Sequence, residues 1–488
     1  MLDRRQWLKF SLAAGAGAAS GLGFGGCDSP PRTLLEGAVA TFEVTDTGAL
    51  VAVYSAVPTT AHVEVDTSSG LMISPAFDLS ESTGNTGFVE LVDLEPDTEY
   101  VYRVVTELGG ESAPYRLRTA PPPDEPHEFT FLFSADLDVD PLWDSPILTA
   151  MALTPASFYI SLGDWPYADN APGAITLAEY RERHRQARAA AKVTPLLQQF
   201  PVFAIWDDHE ARNNWNAHFA EVEADRIAAA VQAWDEWFPL RDTSSPKIRY
   251  RSWRWGSLVE VFMLDLRMYR SDNHDPDGPD KTMLGAGQKG WLKGSLAAST
   301  APYKIVITSV PLDFGELIGV DCWRNFRTER DEVLGFILDN QISGVVFLAA
   351  DQHWFAAHHF ANGLKEFQVG PLARGLPELD PIQPEVVARE SGYNYGEIAV
   401  RADALEVVAR DAYGAELYRE AIRPGRGVLR VDSDPPGRGF VATGAHRFAG
   451  TTPAEFAHAT PGTYAVSWDD GETGPGGELR DGEILVLS

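Results

Sequence analysis

Four short clusters of acids and histidines punctuate the middle of this 488-residue chain, each directly after an apolar run. The first is Phe133-Ser134-Ala135-Asp136-Leu137-Asp138. A carboxylate just past a buried strand can serve as a hard-cation ligand, although a turn-forming aspartate also suits such a position. The second is Leu162-Gly163-Asp164-Trp165-Pro166-Tyr167-Ala168-Asp169. Gly163 permits close backbone approach, the two oxygens of Asp164 could bridge two cations, and Tyr167 could bind a ferric-type ion as its phenolate. The third runs Ile205-Trp206-Asp207-Asp208-His209-Glu210, with Asn213 and Asn214 following. Two adjacent carboxylates beside a histidine and a glutamate are costly to gather unless cations or hydrogen bonds compensate. Asp208 would ligate a second cation, Asn214 offers a neutral oxygen, and His209 could donate a proton to a leaving group. The fourth, Val345-Val346-Phe347-Leu348-Ala349-Ala350-Asp351-Gln352-His353, places an acid and a histidine two apart beyond a very apolar strand. A lone histidine there would more often be a core residue; beside three other such junctions, metal ligation is the better account of His353.

These clusters need elements that bring strand ends together. Apolar β-rich runs at 129–134, 158–162, 201–206, 258–264, 303–309 and 344–349 alternate with helical patterns at 177–199 and 226–237. That alternation predicts a layered α/β domain, in which ligands gather beyond the strand ends.

The order GDxxY, DDHE, DxH, each closing an apolar strand, resembles the calcineurin-like metallophosphoesterases, and among them the PhoD-like alkaline phosphatases. Further matches are Met263-Leu264-Asp265-Leu266-Arg267-Met268-Tyr269-Arg270, Met283-Leu284-Gly285-Ala286-Gly287-Gln288 with Trp291-Leu292, Glu329-Arg330 and Val369-Gly370-Pro371. The resemblance implies an αββα sandwich with a di- or trinuclear metal site, described in the family with iron and calcium. It implies that Asp164 bridges metals and that Tyr167 binds the iron. Asp208, Asn214, Asp351 and His353 then complete the metal shell, with His209 near the scissile phosphate. The expected activity is hydrolysis of phosphate esters by metal-activated hydroxide, the substrate being a monoester or a phospholipid- or teichoic-acid-type diester. The contrasting expectation is an inactive surface-anchored binding protein. Arg267 reads either as a phosphate clamp or as the partner of an internal acid such as Asp265. The chain departs from the family at Ala135, where many members carry an iron-binding cysteine. Asp136 or Asp138 would then substitute, or the metal would differ, since a site without thiolate is harder. Ala350 stands where a glycine is usual. Cys322 matches nothing in the family pattern and reads as a buried apolar residue.

The flanks read as β domains. Residues 38–120 carry short strands such as Ala49-Leu50-Val51-Ala52-Val53-Tyr54, and Tyr100 follows a Pro96 turn from which its hydroxyl can reach back. This resembles the tyrosine corner of an Ig or fibronectin-III sandwich. Pro121-Pro122-Pro123 ends that unit, and the metallophosphoesterase domain is expected over 127–425. Residues 427–488 are again β-like and resemble the small PEGA domain.

Residues 1–27 resemble a twin-arginine export signal, with Arg4-Arg5 before Trp7-Leu8-Lys9 and an Ala/Gly-rich run; 28–37 form a tether. Gly25-Gly26-Cys27 resembles a lipoprotein processing site, so Cys27 carries a lipid or is an unmodified cysteine of a plain signal. Export places the protein in the periplasm or at the cell surface. With 70 Asp+Glu against 40 Lys+Arg, the net charge of −30 argues against a general nucleic-acid-binding surface. Only two cysteines, Cys27 and Cys322, exclude a disulfide framework. Oligomeric state is not legible from these features.

Overall fold

Alternation within the apolar strands builds two layers. Along Val259–Met263, residues Val259, Val261 and Met263 point into one core, while Phe262 points into another. Tyr303, Ile305 and Ile307 likewise separate from Val306, and Val346 and Leu348 from Val345 and Phe347. A strand with both faces apolar must be covered on both sides. Here one face meets a second sheet and the other meets the helices Gly285–Ala298 and Arg327–Asp339, through Leu292, Leu296, Val333 and Ile337. This is a computed structural model; it describes residues 35, 39–138, 145–313, 321–360, 362–377, 386–423, 427–433, 436–443, 447–459, 462–480 and 484–487. The expected leader, Cys27 and all of the tether except Leu35 lie outside these residues.

The first central sheet has nine strands. In spatial order they are Glu416–Ile422, Leu405–Asp411, Asn394–Val400, Phe129–Ser134, Tyr159–Ser161, Val202–Ala204, Val39–Phe42, Ala49–Tyr54 and Thr86–Leu91. The second has seven: Arg251–Arg254, Val259–Met263, Tyr303–Ile307, Val345–Ala349, Lys365–Gln368, Phe355–His359 and Val386–Glu390. The mixed α/β architecture expected from the alternation of runs is present. The six strand runs form within two residues of their expected ends. The helical run at 177–199 is two helices, Leu177–Ala189 and Thr194–Gln199. Pro195 lies in the first turn of the second, where its missing N–H costs nothing, but it could not have continued the first.

The N-terminal strands are shared between two sheets. Thr59–Thr67, Gly70–Ile73, Phe77–Leu79, Glu99–Thr106 and Tyr115–Arg118 form a separate sheet. Val39–Phe42, by contrast, pairs in parallel with Val202–Ala204, through Phe42 opposite Val202. Ala49–Tyr54 is accordingly buried on both faces until Tyr54, not alternately exposed. Arg188 fastens this junction. Its guanidinium lies 4.9–5.3 Å from the rings of Phe42, Trp165 and Phe238, and it donates to the Trp237 carbonyl at 3.0 Å. Burial pulls its pKa down to about 9; the faces of the aromatic rings offset part of that desolvation. The Tyr100 hydroxyl accepts from the Glu95 N–H at 2.7 Å, the reach-back expected of a tyrosine corner. The C-terminal strands between Gly427 and Leu487 form two small sheets around their own core of Leu429, Val431, Phe440, Tyr464, Val466 and Trp468. Among the described residues, no helix is long and apolar enough to cross a membrane.

Candidate metal centre and active site

Parallel pairing aligns the strand ends that carry the acids. Ser134, Ser161 and Ala204 lie in register on the first sheet, and they precede Asp136, Asp164 and the Asp207-Asp208 pair. On the second sheet Met263, Ile307 and Leu348 are in register, with Ala349 opposite Gln368; they precede Asp265, Ser309, Asp351 and Gly370. Both sheets therefore deliver their polar residues to one edge.

At that edge the backbone is bent into a sparsely populated region. Asp136, Asp164, Asn214, Asp351 and His353 all have positive φ, between 56° and 72°. Each such non-glycine residue costs on the order of 1–3 kcal/mol, a strain that clusters at functional sites. Two glycines are obligatory beside them. A Cβ on Gly370 would stand 2.1 Å from Asp136 Oδ2, and one on Gly163 would stand 2.6 Å from Asp207 Cβ.

The side chains form three overlapping groups. Asp136, Asp164 and His353 bring one ligand atom each within 4.8 Å of one another; so do Asp164, Asp208 and His209, and so do Asp207, Asp208 and Asp351. Asp164 belongs to two groups and Asp208 to two. Both oxygens of Asp136, Oδ2 of Asp164, Oδ2 of Asp207 and Oδ1 of Asp208 are buried without a hydrogen-bond partner. Unpaired buried carboxylate oxygens are expensive, and burial together with mutual repulsion pushes the carboxyls of Asp136, Asp164 and Asp351 well above their usual range. Cations would relieve both costs, so the donors fit hard metal ions. Tyr167 is buried and hydrogen-bonds His353 Nε2 at 3.1 Å. The Asn214 N–H donates to Asp208 Oδ2 at 2.5 Å, which sets Asn214 beside that carboxylate.

His209 is held from behind. Its Nδ1 lies 2.7 Å from Asp169 Oδ1, and the other oxygen of Asp169 accepts from the Asn213 N–H at 2.8 Å. Its ring lies against Tyr167, with centroids 4.2 Å apart. Burial favours neutral imidazole, but Asp208 and Asp169 outweigh it and raise the pKa to about 9.

The reading of Arg267 as a phosphate clamp is corrected by its position. The side chain is fully buried. Its Nε meets Asp207 Oδ1 at 2.6 Å, Nη1 meets Asp321, and Nη2 stands 3.6 Å from Asp208 Oδ1. It is an internal ion-pair partner, of Asp207 and Asp321 through its side chain, while Asp265 takes only its backbone N–H at 3.1 Å. Asp265 also accepts from Trp206 Nε1 and the Met268 N–H. Glu329 accepts from Thr282 Oγ1 and from the N–H groups of Met283 and Leu284, and Gln288 bonds the Asp265 backbone on both sides. The motifs around 263–270, 283–288 and 329 thus form the floor that holds Arg267 under the acids.

Asp169, Asp207, Asp321 and Arg374 join the site without a sequence expectation attached to them. Asp169 and Asp207 stand inside the clusters at 162–169 and 205–210, whose density of acids is the signal for partners of His209 and Arg267. Asp321 has no local signal. Asp138, an alternative ligand for the lost cysteine, instead takes Arg374 Nη1 at 2.5 Å and Asn170 Nδ2 at 2.8 Å. Ala135 is buried and Cys322 is a buried free thiol whose pKa is pushed up to about 12 by burial.

A family model described as PhoD-like phosphatase matches residues 150–397. Alkaline phosphatase D of Bacillus subtilis (strain 168) is 31% identical over an alignment of 319 residues; the match covers 56% of this chain and 54% of that protein. The match thus spans about half the length of that relative. A solved structure of PhoD superposes with a TM-score of 0.70 at 21% identity over 95% of each chain. The purple acid phosphatase PPD1 from yellow lupin (Lupinus luteus) seeds superposes with a TM-score of 0.58 at 13% identity, over 79% of this chain and 74% of that one. At these identities the two structures speak to the fold.

Proposed function

The chain belongs to the PhoD-like phosphatase family, and from that premise we propose that it hydrolyses phosphate esters at a metal site built from Asp136, Asp164, Tyr167, Asp208, Asn214, Asp351 and His353. The observation that carries this is the run of overlapping acid and histidine groups with unpartnered buried oxygens. Cations held there would supply Lewis-acid chemistry, making water more acidic and neutralising charge on a phosphoryl group. The oxygen-rich donors, with Ala135 in place of a thiolate, suit hard ions such as calcium and ferric iron.

The protein's own groups have distinct tasks. Asp169 fixes the His209 ring through Nδ1 and leaves Nε2 to hydrogen-bond an ester oxygen or give it a proton. The Tyr167 ring walls one side of His209. Arg267 balances the charge of Asp207, Asp208 and Asp321 from below. We also propose export through the twin-arginine leader, with Cys27 as a lipid attachment point; both rest on the order of residues 3–27. Metal quantification of the purified full chain tests the reading, alongside a panel of p-nitrophenyl phosphate and bis-p-nitrophenyl phosphate. Bound metal and hydrolysis of at least one ester are expected. Failure to bind iron or calcium, with no hydrolysis after reconstitution, would overturn it.

A further inference from the structure

The segment after Lys365–Gln368 is pinned to the Asp136 loop. The Leu372 N–H donates to Ala135 O, the Ala373 N–H to Asp136 O and the Asp138 N–H to Ala373 O, at 3.0–3.1 Å. Two residues on, the Gly375 carbonyl takes His353 Nδ1 at 3.0 Å. Arg374 is therefore set between two loops that carry ligands. Its guanidinium carbon lies 4.1 Å from the Tyr167 ring centroid. Nη1 is oriented by Asp138 Oδ2 at 2.5 Å and Asn170 Oδ1 at 2.9 Å. Among the described residues, its Nε and Nη2 have no partner. Its side chain is 29% exposed, whereas that of Arg267 is 0% exposed. Its charge reaches the site, opposing protonation of both His209 and His353.

We propose that Arg374 is a substrate-binding residue, its unspent N–H groups taking non-bridging oxygens of a phosphoryl group and favouring terminal phosphomonoesters over diesters. This rests on the phosphoesterase reading above. A guanidinium is a planar fork matched to phosphate oxygens, and here one nitrogen is fixed by Asp138 and Asn170 while the remaining donors stay available. In a chain of net charge −30, a cation at the mouth of an acidic site also draws the substrate in locally. A monoester dianion carries about twice the charge of a diester monoanion, so the Coulomb attraction to Arg374 is about twice as large.

The test compares wild type, Arg374→Ala and Arg374→Lys as full chains reconstituted with iron and calcium. Metal content is measured, inorganic phosphate affinity is taken by calorimetry, and KM and kcat are obtained for the two p-nitrophenyl esters. The alanine variant should keep its metal, lose about ten-fold or more in phosphate affinity, and raise KM for the monoester more than for the diester. Lysine should restore part of the affinity. Phosphate affinity within about twofold of wild type, with an unchanged preference between esters, would overturn the assignment. So would loss of metal in the alanine variant, which would make Arg374 a support of the ligand loops. If wild type hydrolyses neither ester, the phosphoesterase reading fails, and the calorimetric affinities still decide Arg374.

Discussion

Asp164→Asn should change stability in opposite directions with and without metal. Asp164 is buried, its Oδ2 has no partner, and its Oδ1 accepts only the His209 N–H, at 3.3 Å. Burial, then Asp208, Asp207, Glu210 and Asp136, all disfavour its charged form. An asparagine keeps the shape and the acceptor, removes one buried charge, and turns an amide toward neighbouring carboxylates. With chelator present, the variant should be more stable than wild type by about 1–3 kcal/mol, the cost of an uncompensated buried polar group. With cations at about 100 times their Kd, wild type gains about 2.7 kcal/mol from binding, which a variant lacking the shared ligand forgoes. Thermal or urea unfolding in chelator and in excess metal, paired with hydrolysis of p-nitrophenyl phosphate, measures both arms. Hydrolysis should be lost while the fold persists. A variant that is less stable in chelator, or that hydrolyses at the wild-type rate, would refute the account of Asp164 as a carboxylate strained by its neighbours and relieved by cations.

Asp169→Ala frees His209 Nδ1 and should lower kcat by about 10–100-fold with little change in KM, shifting the pH–rate profile; an unchanged profile would remove Asp169 from the site. Gly370→Ala forces a methyl to 2.1 Å from Asp136 Oδ2 at a φ of +102°, so stability should fall by about 1–3 kcal/mol and metal content should drop. Glu366 is buried on Lys365–Gln368, where it accepts the Leu312 N–H at 2.8 Å and lies 3.7 Å from His358 Nδ1. Burial raises its pKa from 4.5 to about 8. A raised folded pKa means its contribution is complete below pH 4.5 and is lost as pH rises through 8. Glu366→Gln should therefore flatten the stability profile over that window and raise stability at its alkaline end by a few kcal/mol, at ~1.4 kcal/mol per unit; urea unfolding from pH 5 to 9 checks it.

The strand-end acids were legible because a long apolar run followed by an acid is a local pattern. Asp164, Asp208 and Asp351 each declare themselves within six residues of a buried strand. Their partners do not. Arg267 meets Asp321 only because two distant loops converge, and nothing near Asp321 marks it. Arg374 lies six residues beyond the end of Lys365–Gln368, past the Val369-Gly370-Pro371 motif. Sequence read the N-terminal strands as a separate sandwich because hairpin and corner signals are local, whereas the pairing of Phe42 with Val202 is not. The apolar run Ala49-Leu50-Val51-Ala52-Val53, which lacks the polar alternation of a half-exposed strand, is the hint the sequence offers, since a strand covered on both faces needs more than one partner layer.

The nine-stranded sheet has a consequence for the order of events during synthesis. The strand that leads to Asp136 is flanked by Tyr159–Ser161 on one side and by Asn394–Val400 on the other. A ribosome must therefore release about 270 further residues after Phe129 before that strand has both neighbours. Contacts of such sequence separation close late, and until they do the acid-bearing loops have no shared edge on which to meet. Metal capture then belongs to the finished fold and not to the growing chain, and a cation added during translation should buy no earlier protection from protease than one added after release.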